Sequence, residues 1–164
     1  SLPETFFLPG ADCWGWATWR RAWTHFNPDG KYLLGELKRR KLLAAFDFND
    51  AYPYSKMLEG QIDGTNDSWA VRWYASAFLA GKLTLYPGRS LVQNIGNDSS
   101  GTHCGESDIH DTDLSTTRID LRHVAVEPSS PGCKAFEDFF RQTRGGWVRK
   151  AHRLVQALVG RIRS

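Results

Sequence analysis

Two clusters of tryptophan constrain the fold of this chain more than any other feature of its sequence. The chain has seven tryptophans in 164 residues, of which four lie within residues 14–23 and two within residues 66–74. An indole ring is large and apolar, and a single one more often fills a core than forms a binding surface. So many rings in two short segments also indicate the aromatic wall of a small-ligand pocket.

Composition predicts one globular domain. A compact chain of this length buries about 70% of the surface that it exposes when unfolded, which suffices for one ordinary core. Its apolar fraction of 41% is typical of a globular protein, whereas disordered chains contain fewer apolar residues. No stretch approaches the roughly 20 apolar residues that span a bilayer, and no signal-peptide pattern opens the chain. Because the chain begins with Ser1 and its only methionine is Met57, we expect it to be a segment of a longer protein.

Charge is distributed unevenly along the chain. Residues 134–164 hold eight Lys and Arg and two acids, a net charge of +6, which leaves 13 basic and 16 acidic residues, or −3, for residues 1–133. We therefore expect three parts: residues 1–104, an acidic and turn-rich surface excursion at 105–133, and a basic helical tail at 134–164.

The three cysteines, Cys13, Cys104 and Cys133, have unrelated spacings and form no CxxC pair. Such a pattern predicts neither a disulfide framework nor a zinc site. It is typical of a reducing compartment, and we expect the protein to be cytoplasmic.

Hydrophobic periodicity predicts an α/β fold in which helices flank a mixed sheet. Strands are expected at residues 6–8, 83–87, 90–95 and 119–126. Helices are expected after Asp12 and at residues 32–46, 68–82, 135–142 and 147–163, the last being basic and amphipathic. Asp12 would cap the first helix, and Gly81 would end the helix at 68–82. Residues 50–66 are expected to be a loop or a partly helical insertion.

Asp67 is the first candidate for chemistry, because it immediately precedes the second tryptophan cluster. The flat C–H faces of a sugar stack on indole rings, and a carboxylate at the rim could remove a proton from an attacking hydroxyl. An aspartate at this position could equally be an N-cap that binds orphan amides of the helix. Spacing alone leaves both interpretations open.

His103 is the second candidate, since it lies in a glycine-rich turn after a predicted strand. A ring nitrogen there could bind a divalent ion or a phosphate oxygen, although an ordinary exposed histidine is the alternative. Several His, Asp and Glu residues follow within residues 106–113, but they do not match the calcium loop of an EF-hand. We interpret that group as solvated loop.

The order of motifs along the chain resembles the acceptor-side, C-terminal half of a GT-A-type glycosyltransferase. The motifs are Phe7–Gly10, Trp14–Trp19, Asn66–Trp69, Leu85–Pro87 and Gly101–His103. Their arrangement is similar to bacterial family-two enzymes that build cell-surface polysaccharides, and to the N-acetylglucosaminyltransferase I family. The resemblance covers about residues 5–104. No Asp-x-Asp motif precedes the tryptophans, so the nucleotide-binding half of such a fold is missing.

The resemblance implies a role for each matching residue. Asp67 would be the catalytic base, and the family's two adjacent acids correspond here to Asn66 and Asp67, so that role rests on Asp67 alone. The sugar pocket would be lined by Trp14, Gly15, Trp16 and Trp69. His103 would help to hold a Mn²⁺ or Mg²⁺ ion that bridges the diphosphate of the donor.

The resemblance also implies a function: transfer of a sugar from a nucleotide-diphosphate donor to the hydroxyl of a glycan or a lipid-linked glycan. The isolated chain is expected to be inactive without an N-terminal nucleotide-binding half, which would be its partner. Two alternatives are a non-catalytic carbohydrate-binding or assembly module, and a metal-dependent hydrolase that uses His103, His110 and the acidic residues of 106–113.

The basic helix at 147–163 has two interpretations: it docks onto another domain, or it lies on the inner face of an anionic membrane. Nucleic acid is not an expected partner, because the basic residues form one helix rather than a patch around aromatic rings. A homo-oligomer is expected if the fold exposes apolar surface.

Overall fold

A computed structural model describes residues 2–93 and 114–143 of the chain. Helices predominate over a small sheet. The named elements are β1 (Thr5–Pro9), α1 (Arg20–Trp23), α2 (Gly30–Arg39), α3 (Leu43–Phe46), α4 (Tyr54–Ile62), α5 (Trp69–Leu79) and β2 (Leu83–Pro87). A further helix, α6, occupies residues 130–143. The expected α/β class is therefore confirmed in its broad form.

The sheet within the described residues consists of β1 and β2, which pair antiparallel from Thr5 opposite Pro87 to Pro9 opposite Leu83. The expectation of a mixed sheet was wrong for this part of the chain. Residues 90–93 and 119–126 form no strand. Two apolar residues of the second segment face solvent, since Leu121 is 74% exposed and Val126 is 75% exposed. Residues 94 and 95 lie outside the described ranges.

The core lies where α2, α4 and α5 pack together. Its buried members are Leu33, Leu37, Phe46, Leu58, Val71, Tyr74 and Ala75. Tyr74 is buried, and its hydroxyl donates to the Phe46 carbonyl at 2.9 Å. Such a bond satisfies the phenol and allows a polar ring to fill an apolar core.

Two helices, α2 and α3, replace the single helix expected at 32–46. Asp29 caps α2, and its carboxylate accepts from the Tyr32 amide at 3.0 Å. The helix ends because Lys41 adopts a positive φ of 56°, which an α-helix cannot contain. Near that end, hydrogen bonds from Arg39 and Arg40 lower the pKa of Glu36 to about 2.

The insertion expected at 50–66 contains α4, so its partly helical interpretation is confirmed. The long helix expected at 68–82 is also confirmed as α5, which begins after Ser68. Gly81 ends it as expected, with a φ of 63° and an amide that donates to the Phe78 carbonyl at 3.0 Å.

The helix expected at 135–142 begins five residues earlier, because the Ser129 hydroxyl accepts from the Gly132 amide at 3.2 Å and caps it. The Ser129 amide donates to the Phe7 carbonyl at 2.9 Å. Helix α6 then carries Phe140 into the core, where its ring centroid lies 5.6 Å from Phe48 and 4.8 Å from Tyr52. The helix predicted at 147–163 lies outside the described residues.

An unusual turn connects α3 to α4 and contacts α6. Phe48, Asn49 and Asp50 adopt positive φ angles of 50°, 52° and 60°. Helix α6 holds this turn in place, since the Asn49 side chain donates to Glu137 at 2.6 Å and Arg141 donates to the Asn49 carbonyl at 3.2 Å.

No helix among the described residues is long and apolar enough to cross a membrane.

Candidate functional site

The tryptophan-rich segment after β1 is a loop rather than the expected helix. Gly10, with a φ of 87°, turns the chain away from the sheet, and its amide donates to the Lys82 carbonyl at 2.8 Å. The Asp12 carboxylate then accepts from the Cys13 and Trp14 amides at 2.6 and 3.2 Å. Helix α1 does not begin until Arg20. The prediction that Asp12 caps a helix was therefore wrong: it stabilises a turn instead.

Asp12 is also anchored to the sheet. Its second carboxylate oxygen accepts from the Tyr86 hydroxyl at 2.9 Å. Burial, with a contribution from Asp12, raises the pKa of Tyr86 far above its usual range. Burial and Asp12 likewise raise the pKa of Cys13, which therefore stays a thiol at neutral pH and is a poor nucleophile.

Four indoles from the two tryptophan-rich segments meet beside this loop. The ring centroid of Trp16 lies 6.0 Å from Trp23, 5.7 Å from Trp69 and 6.2 Å from Trp73. Trp23 also lies 5.0 Å from Trp73 and 6.1 Å from Trp69. We call Trp16, Trp23, Trp69 and Trp73 the indole cluster. Its rings are tilted or edge-on to one another, as aromatic quadrupoles prefer.

The indole cluster is buried at its base and open at its rim. Trp73 is 4% exposed, whereas Trp23 is 40% and Trp69 is 42% exposed. In the described part of the chain, the Trp73 Nε1 has no hydrogen-bond acceptor. The cluster therefore combines the stability of a core with an exposed aromatic surface on which a ligand could stack.

The junction between α4 and α5 is fixed by two polar side chains. Asn66 donates from its amide nitrogen to the Met57 carbonyl at 3.0 Å, and its amide oxygen accepts from the Ser68 backbone at 3.1 Å. Ser68 is the N-cap of α5, and its hydroxyl accepts from the Val71 amide at 3.3 Å. The capping role that the sequence left open for Asp67 therefore belongs to Ser68.

Asp67 lies between these two residues and is exposed. Its carboxylate has no hydrogen bond or ion pair to any residue that the structure describes. It borders an open depression with a volume of about 640 Å³, lined by Gln61, Gly64, Thr65, Asn66, Asp67 and Arg72. The guanidinium of Arg72 donates to the Pro28 carbonyl at 3.1 Å, while its buried Nε has no acceptor within the described ranges.

The structure brings some of the predicted site residues together. Trp16 and Trp69 are in contact, and Asp67 lies two residues before Trp69. Gly15 has a φ of 55° and faces Val92 so closely that a Cβ would collide with it. Trp14 is 48% exposed. His103 lies outside the described residues, as does the acidic group at 106–113.

Sequence patterns did not identify Trp23 and Trp73 as site residues, although both belong to the indole cluster. Trp73 follows Trp69 by four positions on α5, so helical spacing already placed the two on one face. Trp23 gave a weaker signal, because its position depends on a loop conformation that the sequence pattern did not predict.

The divalent ion implied by the family resemblance finds no ligand set in this part of the chain. Among residues 2–93 and 114–143, no group of three His, Cys, Asp or Glu side chains could hold a metal ion.

Comparison of the chain with protein-family models, with curated proteins and with solved structures finds no match.

Proposed function

We propose that this chain is the acceptor-side part of a GT-A-type glycosyltransferase, in which Asp67 is the general base. The observation that carries the proposal is the exposed Asp67 carboxylate at the start of α5, which makes no hydrogen bond or ion pair with any residue that the structure describes. Its two neighbours, Asn66 and Ser68, make the hydrogen bonds that hold the junction between α4 and α5. A polar group without a structural partner in the described residues, which borders a depression and lies two residues before Trp69 of the indole cluster, is available for a ligand.

The proposed reaction transfers a glycosyl group to a hydroxyl. The acceptor hydroxyl loses its proton to an Asp67 carboxylate oxygen as its own oxygen bonds to the anomeric carbon of the donor. The bond from that carbon to the diphosphate breaks, and the nucleoside diphosphate leaves with the electron pair. A positioned base typically contributes about 10²–10⁴-fold to such a step.

The indole cluster would orient the sugar. The exposed faces of Trp23 and Trp69 offer aromatic surface to its C–H groups, and the buried Trp73 keeps these rings in a fixed geometry. The donor is proposed to be a nucleotide-diphosphate sugar, and the acceptor a glycan or lipid-linked glycan of the cell surface. This proposal places the protein in the cytoplasm.

The test is to replace Asp67 by Asn in the intact protein that contains this chain. Asn preserves the shape of the side chain but cannot accept the proton, so we expect kcat to fall about 10²–10⁴-fold, with KM for the acceptor little changed. Sugar transfer from a nucleotide-diphosphate sugar would be measured together with thermal unfolding, so that a folding defect is recognised.

Asp63→Asn is the matched control. Asp63 is an exposed aspartate four residues earlier, at the end of α4, and it does not border the depression. It should retain normal transfer. Normal transfer by Asp67→Asn would contradict the assignment of the base. Glycan binding without transfer in the unmodified protein would favour the carbohydrate-binding module instead.

A further inference from the structure

A second exposed surface lies next to the indole cluster and combines apolar side chains with arginines. It consists of Trp14, Trp19, Arg20, Arg21, Leu91 and Val92, and we call it the Trp-Arg surface. Residues 91–92 join it because Val92 packs against Gly15. We propose that this surface binds the headgroup region of an anionic lipid bilayer. The proposal does not rest on the glycosyltransferase assignment.

The Trp-Arg surface presents four large apolar side chains to solvent. Trp19 is 65% exposed and Trp14 is 48% exposed. Leu91 is 53% and Val92 is 43% exposed. Trp14 and Trp19 belong to one segment, and Val92 joins that segment at Gly15. Grouped exposed apolar side chains mark interaction sites in folded proteins, whereas isolated ones do not.

The charge of the Trp-Arg surface is complementary to anionic phosphates. Residues 13–28 contain Arg20 and Arg21 but no Asp or Glu. Within the described part of the chain, neither arginine forms an ion pair. The guanidinium carbon of Arg21 lies 4.9 Å from the ring centroid of Trp19, so a positive charge and an indole are held side by side. That pair fits a boundary where phosphates meet hydrocarbon, because tryptophan prefers this depth and arginine binds the phosphates.

The composition of the Trp-Arg surface fits a bilayer better than a glycan. A sugar needs acceptors and donors for its hydroxyls as well as an aromatic face, yet residues 13–26 contain no Asp, Glu, Asn or Gln. The aliphatic side chains of Leu91 and Val92 have no flat face for a sugar. A bilayer interface accommodates indoles, aliphatic groups and arginines together.

The test is co-sedimentation of the full chain with phosphatidylcholine vesicles, with and without phosphatidylglycerol. We expect the chain to pellet with the anionic vesicles and much less with the neutral ones. The double variant R20Q/R21Q should weaken binding to the anionic vesicles roughly 30-fold, from about 1 kcal/mol for each arginine and 1.36 kcal/mol for each tenfold change. Trp19→Ala should also weaken binding.

Matched controls come from the exposed segment 114–127. R118Q/R122Q changes the net charge equally, and Leu121→Ala removes another exposed apolar side chain. Both should bind like the unmodified chain. The basic residues of 144–164 are present in every variant, so their contribution cancels. Circular dichroism and thermal unfolding would show that each variant folds.

Three outcomes would overturn the proposal. The first is that the chain fails to pellet with anionic vesicles. The second is that R20Q/R21Q pellets to the same extent as R118Q/R122Q. The third is that Trp19→Ala binds anionic vesicles like the unmodified chain. Asp67→Asn should bind vesicles like the unmodified chain whether or not it transfers sugar, so the failure of one proposal can be told from the failure of the other.

Discussion

At the scale of single residues, three consecutive polar side chains have different roles at the start of α5. Asn66 joins the end of α4 to the new helix, and Ser68 caps that helix. Asp67 between them makes no such contact in the described part of the chain. Because the Asp67 side chain is exposed, changing it should cost the fold little, which leaves the carboxylate available for chemistry.

Replacing each of two glycines by alanine should change the free energy of unfolding in opposite directions. Gly10 has a φ of 87°, and an added Cβ would collide with the ring of the buried Tyr74. Gly10→Ala should therefore lower the free energy of unfolding by about 2 kcal/mol or more. Gly35 lies within α2 with nothing within 4 Å of such a Cβ. Gly35→Ala should raise the free energy by roughly 0.5–1 kcal/mol, because alanine loses less entropy in a helix.

Urea unfolding monitored by circular dichroism would measure both changes. Equal stabilities for the two variants would contradict the backbone conformation described at Gly10.

At the scale of elements, α5 joins the core to the site. One side of the helix buries Val71, Tyr74 and Ala75. Trp69 and Trp73 bring the same helix to the indole cluster. The position of Asp67 therefore depends on core packing, although its own side chain is exposed.

The cap of α5 gives an element-scale prediction. Ser68→Ala removes the hydroxyl that accepts from the Val71 amide, and should lower the free energy of unfolding by about 1 kcal/mol. Asp67→Ala should change it by less than about 0.5 kcal/mol. Thermal unfolding of the two variants measures the difference. A larger loss of stability in Asp67→Ala would show that the aspartate is the capping residue.

At the scale of the whole molecule, α6 connects parts of the chain that are distant in sequence. Its Phe136 and Phe140 lie against Phe48, and Phe136 also lies 5.3 Å from the Tyr86 ring of β2. The helix thus contacts both the sheet and the turn between α3 and α4. Helix α6 therefore covers one side of the core with Phe136 and Phe140.

Two adjacent phenylalanines of α6 test this connection. Phe140 is 9% exposed, and Phe140→Ala should lower the free energy of unfolding by about 3 kcal/mol. Phe139 is 39% exposed, and Phe139→Ala should lower it by about 1 kcal/mol or less. Chemical denaturation followed by fluorescence would measure both. Similar losses in the two variants would mean that α6 does not dock as described.

The sequence could predict elements that local pattern decides. Strands β1 and β2 carry short apolar runs that end in proline and glycine turns, and α5 has a strong apolar face and a terminal Gly81. The loop at 11–19 was predicted as a helix because its tryptophans have helical spacing. In the structure, the Tyr86 hydroxyl holds Asp12, a contact across 74 positions that no local pattern contains.

The candidate site could also be predicted only in part from local sequence pattern. The sequence singled out Asp67 and the two tryptophan-rich segments. It could not choose between a cap and a base, because a serine and an aspartate beside each other are both good caps. The competition between them is decided by which oxygen reaches the Val71 amide, and that depends on the backbone angles of Ser68.

The closeness of the four rings in the indole cluster has an optical consequence. Their centroids lie between 5.0 and 6.2 Å apart in five of the pairings. At such distances the excited states of neighbouring indoles couple, and their ultraviolet transitions split into an exciton couplet. The chain therefore carries an intrinsic reporter of the angles between these rings, which can be followed without any label.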